Sequence, residues 1–265
     1  LSLLNAKNHQ ARAAGLRALG FWYNKISKPE ALLTKAVADP HAQVRLEAVI
    51  ALRKLPTAES ARAALTVLDA PMDEFLDFAL WQTVRELEPA WAKRVKTEPS
   101  FLGDDKKTVY ALKSVNSPEA TARLAQLYAQ NKVPESYEKD VIGVVAKRGG
   151  DIEIEILLDK ATKTPNSSIL LAQLAGLEDA VKQRQIKPTQ NLSRIATFIN
   201  HSDEAVALSA IRLIGLWKLE DLKPQLTTLV QTGEKNIKKT ALASLANMNP
   251  NAKAMLLEMT TAKNT

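Results

Sequence analysis

Apolar residues recur along almost the whole chain at spacings of three and four, which is the pattern of one buried face of an α-helix. In residues 44–52 this stripe consists of Val44, Ala48, Val49, Ala51 and Leu52. The charged residues of that helix, Arg45, Glu47, Arg53 and Lys54, fall mostly outside the stripe, so we expect them to point away from the core. No run of comparable length alternates with period two, as a half-buried strand does. The pattern therefore predicts an all-α protein.

Turn motifs divide the helical segments. They are Asp39-Pro40, Ala70-Pro71, Ser117-Pro118, Gly149-Gly150, Thr164-Pro165-Asn166 and Asn249-Pro250. Proline lacks the backbone N–H that a helix interior uses, and glycine weakens a helix, so each motif is expected to start or end an element. The predicted helices are short and come in pairs.

The segment 44–52 defines a frame that recurs before and after it. Taking the small residue at its centre as a marker, the matching positions are Gly15, Ala48, Ala79, Thr108, Val141, Ala172, Ala210 and Ala241. Successive markers are separated by 33, 31, 29, 33, 31, 38 and 31 residues. A period in the low thirties accommodates two helices and two turns, which is typical of helical repeats. Thr108 and Val141 match the frame by spacing more than by residue type.

The segment 39–52 resembles a HEAT repeat. The Asp39-Pro40 turn and the Val44-Arg45 pair on the following helix are characteristic of such repeats. This resemblance implies that the chain is a right-handed α-solenoid of about eight HEAT-like helical hairpins. In that arrangement the second helix of each hairpin lines a concave face and the first helix lies on the convex face. A single globular helical bundle is the alternative for an all-α chain.

A narrower resemblance involves residues 68–87, a stretch that contains Trp81. Together with the preceding repeats, over roughly residues 5 to 95, it is similar to the HEAT region of large bacterial envelope proteins. In those proteins a dehydrogenase-like β-propeller precedes the repeats and a c-type haem domain with a Cys-x-x-Cys-His motif follows them. This chain carries neither part, so the resemblance transfers no haem ligand and no catalytic residue to it.

The amino-acid composition excludes several classes of functional site. The 265 residues are 46% hydrophobic and 25% charged, proportions of a foldable globular protein, and none is cysteine. The absence of cysteine excludes a disulfide framework, a thiolate zinc site, an iron–sulfur cluster, a cysteine nucleophile and a covalently attached haem. The longest apolar stretches, such as 141–146, are far shorter than the roughly 20 residues that span a bilayer. Because the chain begins with Leu1, we expect it to be a segment of a longer protein.

An unusual group of side chains lies at Asp77, Trp81, Arg85 and Glu86. The first three recur at i, i+4 and i+8, which places an acid, an aromatic ring and a base on one side of a helix. Tryptophan and arginine often anchor protein interfaces, so this group is the candidate partner-binding site. The structural alternative is that Trp81 packs between repeats while Asp77 and Arg85 connect adjacent units.

Two arginines occupy equivalent repeat positions. Arg12 and Arg45 each lie near the start of a second helix, where a guanidinium can bridge to the aspartate or the carbonyl groups of a neighbouring turn. We expect them to be structural. Phosphate binding by a ladder of such arginines is the alternative, but Ala207 occupies the equivalent position later in the chain.

The net charge of +7 raises nucleic-acid binding as a second functional class. Some HEAT-like proteins are DNA glycosylases, and Trp81, Trp91 and Trp217 with Asp77 would be the residues for that activity. The basic groups Lys182, Arg184, Lys187 and Lys235, Lys238, Lys239 lie at the ends of separate repeats without interleaved aromatic residues. A solvated basic surface is therefore the simpler interpretation.

The three histidines, His9, His41 and His201, fall in turns before a second helix. None has a partner at a spacing typical of metal ligands, although His9 and His41 are 32 residues apart, so consecutive repeats can bring them together. We find no acid–base pair, phosphate-binding glycine loop or nucleophile motif. No metal, cofactor or catalytic residue is therefore predicted in this chain.

These observations predict one HEAT-like α-solenoid domain over residues 1–265. Its expected role is that of a non-catalytic scaffold or protein-interaction module. The narrower resemblance implies a periplasmic or cell-envelope protein whose repeats position dehydrogenase-like and c-type haem domains, so that the full-length parent would be an oxidoreductase. The expected partner is another protein or a neighbouring domain of the same polypeptide. A basic nucleic-acid-binding protein or a DNA glycosylase-like enzyme on the same scaffold is the alternative.

Overall fold

The computed structural model describes residues 2–249, which contain helices and turns and no strand. The predicted all-α class is confirmed. The α-helices are α1 (His9–Trp22), α2 (Pro29–Ala36), α3 (Ala42–Leu52), α4 (Ala58–Leu65), α5 (Glu74–Glu86), α6 (Glu88–Thr97), α7 (Asp105–Ser114), α8 (Pro118–Ala129), α9 (Glu135–Arg148), α10 (Asp151–Ala161), α11 (Ser167–Arg184), α12 (Glu204–Trp217), α13 (Lys223–Thr232) and α14 (Lys235–Met248). Short 3-10 helices include Leu192–Phe198. Each predicted turn motif lies between or at the ends of helices, except Pro250, which lies outside the described residues.

The eight marker positions lie on eight different helices, namely α1, α3, α5, α7, α9, α11, α12 and α14. We refer to these as the marker helices. Thr108 and Val141, the weakest matches in sequence, are both buried on their helices, as are four of the other markers, whereas Gly15 and Ala172 are half-buried. The spacing was therefore a sufficient guide to these two helices even where the residue type was not.

The chain divides into two compact units between Ala120 and Thr121, within α8. In the first unit each marker helix contacts the next, from α1 through α3 and α5 to α7. The intervening helices α2, α4 and α6 also contact one another in sequence order. The first unit is thus built from two layers of helices with the apolar core between them. The prediction of one continuous domain stays a prediction.

The second unit also packs its marker helices consecutively, with contacts from α9 to α11, α11 to α12 and α12 to α14. The longest marker spacing, between Ala172 and Ala210, has a structural cause: α11 extends over 18 residues, and the 3-10 helix Leu192–Phe198 replaces the intervening α-helix. Pro188 and the left-handed backbone of Asn191 (φ 49°) precede that short helix and interrupt regular helical structure.

Four charged residues were expected to point away from the core. Lys54 is exposed and Arg53 is half-buried, but the expectation is wrong for Arg45 and Glu47. Arg45 and Glu47 on α3 are 4% and 6% exposed. The reason is that α3 is covered by α1, α2, α4 and α5, so its circumference offers little solvent-facing surface. Glu47 pairs with Arg17 of α1, and the two terminal nitrogens of Arg45 donate to backbone carbonyl groups, while its buried Nε has no hydrogen-bond partner among the described residues.

A glycine sets the distance between the last two marker helices. A Cβ atom at Gly215 of α12 would lie 2.6 Å from the Cα and 2.7 Å from the Cβ of Ser244 on α14. The same approach allows the Ser244 hydroxyl to donate a hydrogen bond of 2.8 Å to the carbonyl of Ile211. The absent side chain is therefore what lets these two backbones pack directly.

Gly215→Ala is expected to lower the free energy of unfolding by about 1–2 kcal/mol, because the cost of overpacking exceeds the gain in helix propensity. Gly143→Ala on α9 is the matched control. An added Cβ there has no neighbour within 4 Å, so this variant is expected to gain up to about 1 kcal/mol from helix propensity alone. Urea denaturation followed by circular dichroism measures both. Equal gains in the two variants would show that α12 and α14 are not in direct backbone contact.

Candidate partner-binding surface

Helix α5 carries apolar side chains on two opposite faces, one buried and one exposed. Asp73 caps its N-terminus by accepting a hydrogen bond of 2.8 Å from the backbone N–H of Leu76. The residues that face the core are Leu76, Ala79, Leu80, Thr83 and Val84. On the opposite side Phe75 and Phe78 are 67% and 61% exposed, and Trp81 is 37% exposed. Three large aromatic side chains therefore lie on the solvent face of a single helix.

Two contacts organise this face. The Phe78 and Trp81 rings are stacked, with their centroids 5.7 Å apart. The guanidinium carbon of Arg85 lies 4.6 Å from the Trp81 ring centroid, which is a cation–π contact. Phe78, Trp81 and Arg85 follow one another at i, i+3 and i+7, so their contacts follow from helical geometry. We call Phe75, Phe78, Trp81 and Arg85 the aromatic strip.

The two acids of the predicted cluster have a different role. The hydroxyl of Tyr110 on α7 lies 2.9 Å from the backbone carbonyl oxygen and 3.0 Å from the carboxylate of Asp77. Glu86 accepts a hydrogen bond from Gln82 and lies 3.6 Å from the guanidinium of Arg53, which follows α3. Asp77 thus connects α5 to α7 and Glu86 connects it to α3.

The predicted cluster therefore separates into two pairs. All four residues are exposed, but Trp81 and Arg85 contact each other, whereas Asp77 contacts Tyr110 of α7 and Glu86 lies near Arg53 after α3. The structural alternative holds for Asp77 but not for Arg85, whose contact is with Trp81 of its own helix. The aromatic strip is the exposed apolar surface of α5 that a partner can contact.

A groove of about 350 Å³ lies between α1 and α3 in the same unit. Its apolar floor is formed by Gly20, Ile50 and Ala51. Arg17, Phe21, Arg53 and Lys54 also line the groove, together with the buried Glu47. A Cβ at Gly20 would lie 3.2 Å from that of Ala51, so the two helices approach closely beneath the groove. The groove is shallow and carries positive charge at its edge.

Three of these surface residues were not singled out from sequence. They are Phe75, Phe78 and Phe21, the last of which is 77% exposed. A signal was present for Phe78, since it directly precedes a marker, where the neighbouring marker helices carry Ala14, Glu47 and Lys107. A large aromatic residue at a position that is small or charged on these three helices is unusual and marks Phe78 for attention.

Arg12 and Arg45 have the structural role predicted for them, since both bond to neighbouring turns. The Nε of Arg12 lies 2.7 Å from the carboxylate of Asp39, and its Nη1 donates to the carbonyls of Ala6 and Lys7. Burial alone would raise the pKa of Asp39, but the hydrogen bonds from Arg12 and from the His41 backbone outweigh it and lower that pKa. Arg45 donates to the carbonyls of Asp39, Pro40 and Pro71 and so reaches the segment before α5.

His9, the first residue of α1, and His41, the N-cap of α3, lie together with stacked rings whose centroids are 3.5 Å apart. The Nδ1 of His41 accepts a hydrogen bond from the backbone N–H of Gln43 and thereby caps α3. Within residues 2–249 no three His, Asp or Glu side chains are grouped as a metal centre requires. Every helix in that range is too short or too polar to cross a bilayer.

The tryptophans considered for nucleic-acid chemistry are mostly buried. Trp91 and Trp217 are 1% and 2% exposed, and the indole N–H of Trp91 donates a hydrogen bond of 2.9 Å to the carbonyl of Val84. A buried ring offers no face on which a base can stack. Of the basic groups, Arg184 donates to the carbonyls of Ala146 and Gly149, and Lys182 pairs with Glu178. Both cations therefore make contacts within the second unit.

Comparison with protein-family models and with curated proteins finds no match for this chain. The role of the surface is therefore inferred from its own chemistry. Its two distinctive features are the aromatic strip on α5 and the cation-rimmed groove between α1 and α3.

Proposed function

We propose that this chain is a non-catalytic protein-interaction module whose aromatic strip binds a segment of a protein partner. The observation that carries the proposal is the exposure of Phe75, Phe78 and Trp81 on one helix face, with Arg85 stacked on Trp81. Tryptophan and arginine are enriched among the residues that dominate binding energy, and grouped exposed apolar side chains mark interaction sites. Helix α5 buries Leu76, Leu80 and Val84 against the core, and Asp77 bonds Tyr110 of α7, so the strip is presented on a packed helix.

The proposal extends to the architecture. The repeated marker spacing and the consecutive contacts of the marker helices within each unit support a HEAT-like α-solenoid of about eight hairpins, right-handed as in the family it resembles. Such an array serves as a scaffold that holds binding surfaces and neighbouring domains in place. On the narrower resemblance, the neighbours are dehydrogenase-like and c-type haem domains of a bacterial envelope protein.

A random peptide library displayed on phage tests the role of the strip without a known partner. Peptides selected on the purified chain are synthesised with a fluorescent label, and their affinities are measured by anisotropy. Trp81→Ala is expected to weaken the selected peptides at least tenfold, which corresponds to about 1.4 kcal/mol, because the ring and its cation–π contact form the centre of the strip.

Ile152→Ala is the matched control, because Ile152 on α10 is another large apolar side chain, 75% exposed and outside the strip. Its affinity for the same peptides is expected to equal that of the wild type. A failure to select any peptide, or peptides that bind Trp81→Ala as tightly as wild type, would contradict the proposed function.

A further inference from the structure

We propose that the partner segment is an acidic amphipathic helix that lies across α1, α3 and α5, with one apolar side chain in the groove and another on the aromatic strip. This inference rests on the proposed function and specifies the chemistry of the partner. Four observations support it: the alignment of the three helices, the distance between the two apolar sites, the hydrogen bonding of the backbone within each helix, and the unpaired positive charges on this surface.

The three marker helices are in register. Gly20 of α1 approaches Ala51 of α3, and Arg53 after α3 pairs with Glu86 of α5. Gly20 and Ala51 lie five and three positions after their markers, and Arg53 and Glu86 lie five and seven positions after theirs, so the frames of neighbouring helices are aligned to within two positions at these contacts. Residues at the same distance from each marker therefore form approximate rows across the helices. Six positions after the markers the row is Phe21, Lys54 and Arg85, and two positions after them it is Arg17, Ile50 and Trp81. The groove and the strip thus share these two rows on successive helices.

The spacing of the two apolar sites suits a helix. Packed helix axes are about 8–10 Å apart, so a groove between α1 and α3 lies about 12–15 Å from the strip on α5. A helix that crosses the row covers this distance in eight to ten residues at about 1.5 Å per residue. Two apolar residues separated by eight to ten positions on one face of the ligand would therefore reach both sites.

The backbone chemistry also favours a helical ligand. The surface is made of helices, whose N–H and C=O groups bond within each helix and leave no strand edge for an extended peptide to join. A helix satisfies its own backbone and presents only side chains. The ligand that suits a surface of helices and side-chain grooves is therefore itself helical.

The charge of the surface selects acidic partners. Arg17 and Arg53 are paired with Glu47 and Glu86, and the Glu47 side chain is only 8% exposed. Lys54 and Arg85 are exposed and make no ion pair within residues 2–249. The remaining acids of this face lie off the row: Asp77 bonds Tyr110 on the side facing α7, and Glu74 is eleven residues before Arg85, about three helical turns away.

Lys54 follows α3, the helix between α1 and α5, and lines the groove, so a carboxylate between the two apolar residues of the ligand would face it. A second carboxylate on the ligand, placed after the apolar residue that contacts the aromatic strip, would face Arg85. The ligand class is thus a helix with two apolar anchors on one face and glutamate or aspartate residues between and after them.

Two labelled synthetic peptides of sixteen residues test this assignment. Both carry leucine and tryptophan anchors eight positions apart; one has glutamate and the other lysine at the intervening and following exposed positions. The acidic peptide is expected to bind in anisotropy titrations and the basic peptide at least tenfold more weakly. Lys54→Glu and Arg85→Glu are each expected to weaken the acidic peptide at least tenfold.

Lys238→Glu, which makes the same charge change at an exposed site on α14, is expected to leave affinity within twofold. Urea midpoints of all three variants separate binding from a purely structural role, since a cation near the end of a helix also stabilises it. A loss of affinity with an unchanged midpoint supports the inference. A loss that follows only a lowered midpoint overturns it.

The remaining outcomes separate this inference from the proposed function. Equal binding of both peptides, or library-selected peptides that depend on Trp81 but are not acidic, would overturn the acidic-helix assignment and leave the proposed function intact. Binding of a fifteen-nucleotide oligothymidine that is lost in Lys54→Glu and Arg85→Glu, and that the acidic peptide does not displace, would also overturn the assignment. If neither designed nor selected peptides bind, both proposals fail.

Discussion

Trp91→Ala is expected to lower the free energy of unfolding by about 3–5 kcal/mol, whereas Trp81→Ala is expected to lower it by only about 1 kcal/mol. Trp91 is 1% exposed and its indole N–H is bonded to the carbonyl of Val84, so its loss creates a cavity and removes a buried hydrogen bond. Trp81 contributes a ring stacked on Phe78 and Arg85 at the surface of α5. The two residues are ten positions apart in the same unit and differ chiefly in burial.

Urea denaturation followed by circular dichroism at 222 nm is the appropriate measurement, because both changes remove an indole and would alter a fluorescence signal. Equal losses for Trp81→Ala and Trp91→Ala would show that Trp81 is a core residue and would remove the basis for a binding surface on α5. A small loss for Trp81→Ala combined with loss of peptide binding is the result that the aromatic strip predicts.

Glu178→Ala is expected to lower the free energy of unfolding by about 3 kcal/mol at neutral pH. Glu178 on α11 is 5% exposed and accepts hydrogen bonds from Ser209 and Arg212 of α12 and from Lys182. Its removal leaves the buried Ser209 hydroxyl with no acceptor at this site and separates two charges from their partner. Glu220→Gln, which disrupts an exposed pair with Lys223, should change stability by less than about 1 kcal/mol.

The stabilising effect of Glu178 should also depend on pH. Burial alone would raise the pKa of Glu178, but the hydrogen bonds from Arg212, Lys182 and Ser209 outweigh it and hold that pKa below the ordinary value of 4.5. A carboxylate with a lowered folded-state pKa stabilises the protein above its unfolded-state pKa and loses that effect as pH falls through the folded-state value. The difference between wild type and Glu178→Ala should therefore be constant from pH 7 to about 5.5 and shrink below 4.5. A difference that widens in acid would show that the carboxylate is not held in its charged form.

The positions of the marker helices could be predicted from sequence because burial imposes a period on the chain. A helix that packs between two neighbours needs a small residue where it approaches them and large apolar residues one turn away. That requirement recurs in every repeat, so it survives at Thr108 and Val141, where the residue type itself is atypical. Spacing could not predict that Leu192–Phe198 forms a 3-10 helix, because that depends on local backbone geometry around Asn191.

The division of the candidate site could not be predicted from spacing alone. Residues at i, i+4 and i+8 share one side of a helix only approximately, since eight residues at 3.6 per turn leave a rotation of about 80°. Asp77 therefore reaches Tyr110 of the next marker helix while Arg85 faces solvent above Trp81. Whether a neighbour is present at each angle depends on which helices pack there. The burial of Arg45 and Glu47 was missed for the same reason.

Hydrogen bonds between successive marker helices join residues that are close in the chain. The bonds from Thr83 to Val49, Tyr110 to Asp77, Ser209 to Glu178 and Ser244 to Ile211 span 34, 33, 31 and 33 residues. Loops of this length cost nearly the same entropy to close, and none of the four requires a distant part of the polypeptide. During synthesis, the first helices can thus acquire their native neighbours before the last ones have left the ribosome. Their exposed apolar faces would then be covered early, which shortens the period in which a nascent chain is prone to aggregate.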